Sequence, residues 1–297
     1  MRWSIRMIDQ AGKLRRMVED HNKTGEEREK HQIKIYSVVS GKGGVGKTNL
    51  TINLAIKFQQ MGKKVLILDA DIGMSNVNIM FGVETHLTLF NLLRDNATLT
   101  DIIVKCPEGV DLISGGADLL NLEDLNYTKQ QQIIELLSEL GAYDILLIDN
   151  GAGISKHSLT FSIFAHELIL ITTPEPTAIT DAYRVLKAIS TYKVKDKVKV
   201  IINEINELSY GEQTFSKLLK TSEQFLDLNL EKLGFIFNDI RVSKAIMEQK
   251  PVVLRYPDSL ASKNISQISK NILEDKNYSC DISNFKQLTN RIIKIFG

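Results

Sequence analysis

Seven short apolar runs punctuate the chain between residues 33 and 237: IKIYSVVS, KVLILDAD, VDLISGG, YDILLIDNG, HELILITTP, KVKVIINEI and LGFIF. A strand with one wet face alternates polar and apolar positions, so runs this short and this apolar suit strands covered on both faces. Such strands pair in parallel, and parallel pairs need crossover connections, for which the intervening stretches are long enough and helical in pattern. The expected fold class is α/β: a doubly wound, mostly parallel sheet flanked by helices. No internal repeat interrupts this alternation.

Composition sets the remaining limits. With 43% hydrophobic and 25% charged residues over 297 positions, the chain can bury a sizeable core. Its 37 basic and 36 acidic side chains leave a net charge of +1, so nothing in the overall balance pulls it toward nucleic acid or an anionic surface. The two cysteines, Cys106 and Cys280, show neither C-x-x-C nor Cys/His ligand spacing, which disfavours disulfide or zinc chemistry. The start, MRWSIRMIDQAGKLRR, has no apolar signal region, and no run approaches the roughly 18 apolar residues of a membrane span. A cytoplasmic protein, or one touching a membrane only from its surface, is expected.

Three zones follow: a polar N-terminal helix and linker over 1–32, an α/β domain over 33–280 and a C-terminal segment over 281–297. Within the second, VVSGKGGVGKTNLT (38–51) fits G-x-x-x-x-G-K-[ST] between an apolar strand and a helix. That is the context a phosphate-binding loop requires. Backbone N–H groups of Gly41, Lys42, Gly43, Gly44, Val45 and Gly46 can turn toward phosphate oxygens, with the helix N-terminus adding its dipole. Lys47 would reach the terminal phosphates, and Thr48 would ligate Mg²⁺. Three acidic residues stand at ends of apolar runs, where open α/β sheets bind ligands. Asp149 in DILLIDNGAG suits a carboxylate holding the metal, and Asp69 and Asp71 in KVLILDADIG can divide metal contact and water alignment between them. Capping of the next helix is the plain alternative for Asp69.

GKGGVGKT with its extra lysine, DADIGMSN and DNGAG resemble the deviant Walker A ATPases of the MinD/ParA family over nearly all of residues 33–275. The resemblance implies ATP and ADP as nucleotides, Mg²⁺ as cofactor and a homodimer in the ATP state. Lys42 would cross the dimer interface to the other subunit's nucleotide, making it catalytic alongside Lys47 and Asp71. Asp71 would position the attacking water, Asn76 would lie in the first switch, Gly153 in the second, and Asn203 would read adenine. Two departures stand out: Gly151 where D-x-P-A-G is usual, which frees that loop, and Phe237 where an I-P-x-D pattern is common.

The termini refine the resemblance. DQAGKLRRMV (9–18) is similar to the D-Q-A-x-x-L-R element of the FlhG (YlxH, FleN) flagellar-number regulators within that family. By carry-over, Asp9, Gln10, Leu14 and Arg15 would bind an FlhF-type signal-recognition GTPase and stimulate its GTP hydrolysis, with flagellar switch (C-ring) components as further partners. Read from residues alone, Ile8, Ala11, Leu14 and Val18 form a narrow apolar stripe behind a polar tether, suited to folding on binding, while docking on the chain's own domain is the other reading. At the far end, Phe285, Leu288, Ile292 and Phe296 alternate with Lys286, Arg291 and Lys294 at helical spacing. This suits either a basic amphipathic helix on an anionic membrane surface or a terminal helix packed on its own core. A MinD-type division-site ATPase or a ParA-type ATPase positioning DNA or cargo remains the alternative, although no specific nucleic-acid partner is expected.

Overall fold

The computed structural model describes residues 33–71, 76–89, 91, 97–115 and 140–274; the readings made for 1–32 and 281–297 fall outside the described residues. Eight strands form one sheet: β1 (Lys34–Val39), β2 (Val65–Ala70), β3 (Ile103–Lys105), β4 (Asp111–Ser114), β5 (Ile145–Asn150), β6 (Glu167–Thr172), β7 (Lys197–Ile205) and β8 (Asn229–Phe237). Their spatial order is β3-β4-β2-β5-β1-β6-β7-β8. All pairs are parallel except β3–β4. The seven apolar runs supply the seven parallel strands, as the both-faces-covered argument requires. β3 is the element the patterning missed: three residues at the sheet edge, too short for any period to register.

Among the described residues the helices are α1 (Lys47–Gln60), α2 (Val77–Phe81), α3 (Leu99–Ile102), α4 (Lys156–Phe164), α5 (Pro176–Thr191), α6 (Leu208–Phe225), α7 (Ile240–Met247), α8 (Val252–Arg255) and α9 (Leu260–Glu274). They cover the sheet on both sides. On one face Leu50, Ile52, Ile56 and Phe58 of α1 share a core with Ile265, Ile268 and Ile272 of α9 and the odd-facing residues Tyr36, Val38, Ile67 and Leu147 of the strands. On the other, Val185, Leu186 and Ile189 of α5 meet Leu168, Leu170, Val200 and Ile202. Full burial of each such aliphatic or aromatic side chain stabilises by about 1.5–3 kcal/mol, which fixes α1 against the sheet.

β1 sits between β5 and β6, and the chain runs to one side of it early and to the other late. The connections therefore diverge at the carboxyl end of β1, where open α/β sheets bind ligands. The loop 40–46 leaves the sheet at that point, directly into α1.

One polar contact ties β1 to the entry of β6. The Ile35 N–H donates to His166 Nδ1 at 2.9 Å, and the His166 N–H donates to the Ile35 carbonyl at 2.8 Å. Burial, with Lys195 and Lys34 nearby, pushes the imidazole down to about 4 from its usual 6.5. The folded value lies below the unfolded one, so the neutral ring's contribution is complete above pH 6.5 and fades as pH falls toward 4, by about 3 kcal/mol in total. In His166→Asn, Oδ1 can keep accepting from Ile35 without titrating. Denaturant unfolding between pH 7 and 4 is expected to show the natural protein losing that much more stability than the variant; parallel pH profiles would contradict the assignment.

Candidate active site

The site is built where β2, β5 and β1 end side by side. Parallel register sets Asp149 opposite both Val38 and Asp69. Alternation along the strands turns Asp69 and Asp149 to the face that carries α1, while Asn150 turns to the other face and donates from Nδ2 to Ser37 Oγ at 2.6 Å and to the Val38 carbonyl at 3.1 Å. Asp149 is wholly buried. Its Oδ1 accepts from Lys47 Nζ at 3.1 Å and Thr51 Oγ1 at 3.0 Å, and its Oδ2 accepts from Thr48 Oγ1 at 2.6 Å. Lys47, Thr48 and Thr51 lie on the first turns of α1, so one carboxylate gathers the start of the helix.

The loop that feeds α1 is shaped by its glycines. Gly46 is the N-cap of α1 at φ +91°, and a Cβ there would come within 2.5 Å of Asn203 Nδ2. Gly41 packs so closely on α5 that a Cβ would lie 2.1 Å from the Asp181 carbonyl carbon. Neither position has room for a side chain, and the loop backbone is thereby pressed between β7 and α5. Asn203 donates from Nδ2 to the Val45 carbonyl at 2.9 Å and, with Gly44, Gly46, Asn49 and Phe237, lines a cleft of about 640 Å³ that opens to solvent. A register shift between Ile202 and Ile205 of β7, with Glu204 at φ +57°, brings both Asn203 and Glu204 to this cleft.

The carboxylates at the end of β2 differ in setting. Asp69 accepts from the Asp71 N–H at 3.2 Å and from the Val77 N–H, the first residue of α2, at 3.4 Å. The structure thus places it as a tie between β2 and α2. Burial first, and Asp149 second, push Asp69 up to about 7, so near neutral pH it carries a proton part of the time. Asp71 is also raised, by burial and then by Asp149 against the opposing pull of Lys47. Its Oδ1 lies against Gly151, where a Cβ would sit 3.2 Å away. Asn76 caps α2 at the end of the segment that starts with Asp71, and the Gly153 N–H donates to the Ser40 carbonyl at 2.8 Å, linking the loop after β5 to the phosphate-type loop.

Lys42 stands apart from this cluster. Its ammonium donates to Glu175 Oε2 at 2.8 Å and Thr177 Oγ1 at 3.3 Å, at the start of α5, and is raised above its usual value chiefly by that hydrogen bond. Thr51, Glu175 and Thr177 were not among the sequence candidates. Thr51 was within reach, being one turn beyond Lys47 on the same helix, and Glu175 follows a strand end just as the aspartates do.

The oxygen donors of Thr48 and Asp149 match the hard-ligand preference of Mg²⁺. The positive-φ glycines and the N-terminus of a 14-residue helix match a polyphosphate.

Residues 31–273 match the ParA family model, described as "NUBPL iron-transfer P-loop NTPase". The antiactivator FleN of Pseudomonas aeruginosa is 31% identical over 82% of the chain and 87% of its own length, and the flagellum site-determining protein YlxH of Helicobacter pylori is 33% identical over 89% and 90%. Among solved structures, the septum site-determining protein MinD of Pyrococcus horikoshii complexed with Mg-ADP aligns with a TM-score of 0.67 at 28% identity, covering 82% of this chain and 97% of that one.

Removing the cation from a buried pair leaves an uncompensated charge. Lys47→Met keeps the side-chain stem and leaves Asp149 with hydroxyl donors alone. Its free energy of unfolding without nucleotide is expected to drop by about 3 kcal/mol, read from denaturant midpoints; an unchanged midpoint would show that the pair does not hold α1.

Proposed function

The chain belongs to the ParA family of P-loop NTPases and is an ATPase of the flagellar-number-regulator kind, and from that premise we propose that it works as a Mg²⁺-dependent dimerisation switch. The observation that carries this reading is Lys42. It belongs to the phosphate-type loop, yet its ammonium turns away from the Lys47–Asp149 cluster toward Glu175, with 41% of the side chain exposed. A loop lysine so placed can reach a neighbouring subunit's nucleotide.

In this reading the N–H groups from Gly41 to Thr48 hold the substrate's phosphates, Lys47 neutralises the terminal ones and Asn203 faces the base. Thr48 and Asp149 would hold Mg²⁺, which when bound offsets charge on the β- and γ-phosphate oxygens. Asp69, tied to α2, supports the metal cluster from behind. Asp71, made more basic by burial, accepts a hydrogen bond from the attacking water. Lys42 of a second copy completes the charge stabilisation, so hydrolysis depends on two chains meeting. Asn76 and Gly153 flank the site on the two segments that adjust to the γ-phosphate.

Among the described residues no helix is long and apolar enough to cross a membrane. Membrane contact is assigned to Phe285, Leu288, Ile292 and Phe296, whose single amphipathic segment binds reversibly and gains from pairing in a dimer. The segment with Asp9, Gln10, Leu14 and Arg15 is assigned to an FlhF-type GTPase. The resemblance to FleN and YlxH supports both assignments and a role in flagellar number or placement at the inner face of the cell membrane. The iron-transfer wording of the family model fits less well. Burial first, then Asp111, push the Cys106 thiol up to about 12, which makes it a poor metal ligand.

Lys42→Ala and Asp71→Ala are each expected to bind ATP nearly as the natural protein does while turning it over about 100-fold more slowly; normal rates in both would overturn this mechanism. With ATP, sedimentation with anionic liposomes should recover the full chain and leave behind one ending at Asn277, whereas equal recovery removes the tail's role. A peptide of residues 1–25 should raise GTP turnover by an FlhF-type partner, and no stimulation returns the chain to a general MinD-like ATPase.

A further inference from the structure

Three linked hydrogen bonds dictate the orientation of one side chain in the nucleotide cleft. The Val253 N–H can only donate, so the Asn53 atom 3.0 Å from it is Oδ1. Nδ2 of Asn53 therefore points the other way, donating to the Asn49 carbonyl at 2.7 Å and to Asn49 Oδ1 at 2.5 Å. Asn53 is fully buried, and turning its amide over would set oxygen against the Asn49 carbonyl and nitrogen against the Val253 N–H, leaving buried groups unpaired. The same constraint passes one residue on. Asn49 must turn its oxygen to Asn53, and its NH₂ is left to face the cleft that it lines with Gly44, Gly46 and Asn203.

Asn203 cannot supply that donor, because its Nδ2 is held by the Val45 carbonyl, which can only accept. Asn49 also occupies the first turn of α1, one residue beyond Thr48, where the helix dipole favours an anion. Lys47 and Thr48 turn to Asp149, and Asn49 lies on the other side, toward Asn203 and Phe237. We infer that Asn49 is a further nucleotide-binding residue, its NH₂ donating to an oxygen of the phosphate next to the sugar, and that the buried Asn53 is the positioning residue that aims it. The inference rests on the nucleotide-binding reading of the same loop.

Titrating the full chain with ADP and with adenosine tests this. Asn49→Asp preserves the acceptor for Asn53 and replaces the two donors with negative charge; Asn49→Ala removes the donors alone. ADP affinity is expected to fall about tenfold or more in Asn49→Asp and severalfold in Asn49→Ala, with adenosine affinity unchanged. Equal weakening of adenosine would move the contact to the sugar or base and overturn the phosphate assignment. Unchanged ADP binding in both variants, while the natural protein binds ADP, would overturn the role of Asn49. A natural protein that binds no ADP would sink the nucleotide reading itself. In Asn53→Asp the carboxylate still accepts from Val253 but cannot donate to Asn49, so ADP affinity should fall, yet fall no further when combined with Asn49→Ala. A full additional loss in that double variant would make Asn53 merely structural.

Discussion

The buried carboxylate of Asp149 is the point on which the site depends. A charge with no exposure to water must be met by donors inside the protein, and here a lysine and two threonine hydroxyls from the start of one helix meet it. That requirement fixes the rotation of α1, the end of the loop that precedes it and the distance between β5 and the helix. Everything else in the site is arranged around that junction: Asp69 beside it in register, the glycine backbone above it and the cleft on the far side of the helix start.

Electrostatics then separates three aspartates that look alike in sequence. Asp149 is met by cations and hydroxyls. Asp69 has only backbone N–H groups and a like charge beside it, and is driven up to about 7. Asp71 is less buried and lies in the gap that Gly151 leaves open. Burial and neighbours thus make one strand end a tie to α2 and leave the residue two positions on free to face water.

Much of this was legible from residue order. The seven parallel strands follow from runs too apolar to have a wet face, and the loop and its acidic companions follow from glycine spacing and from carboxylates at strand ends. What escaped has physical reasons. β3 is too short to show a period, and its pairing with β4 is decided by contacts rather than by pattern. Glu175, the partner of Lys42, is brought near only because β6 lies next to β1 in the sheet. The amide orientation of Asn49 depends on Val253, two hundred residues beyond Asn53, which no local reading connects. Gly151 read as a loosened loop in the sequence; in the fold it is the space in which the Asp71 carboxylate sits.

The central claim is that nucleotide state and subunit number are one variable, because Lys42 serves a second chain's phosphates. Mass measurement in solution by light scattering, with Mg²⁺ and either ADP or a non-hydrolysable ATP analogue, addresses it most directly. The account predicts single chains with ADP and pairs with the analogue. A protein that stays single with the analogue at every concentration tried would contradict it.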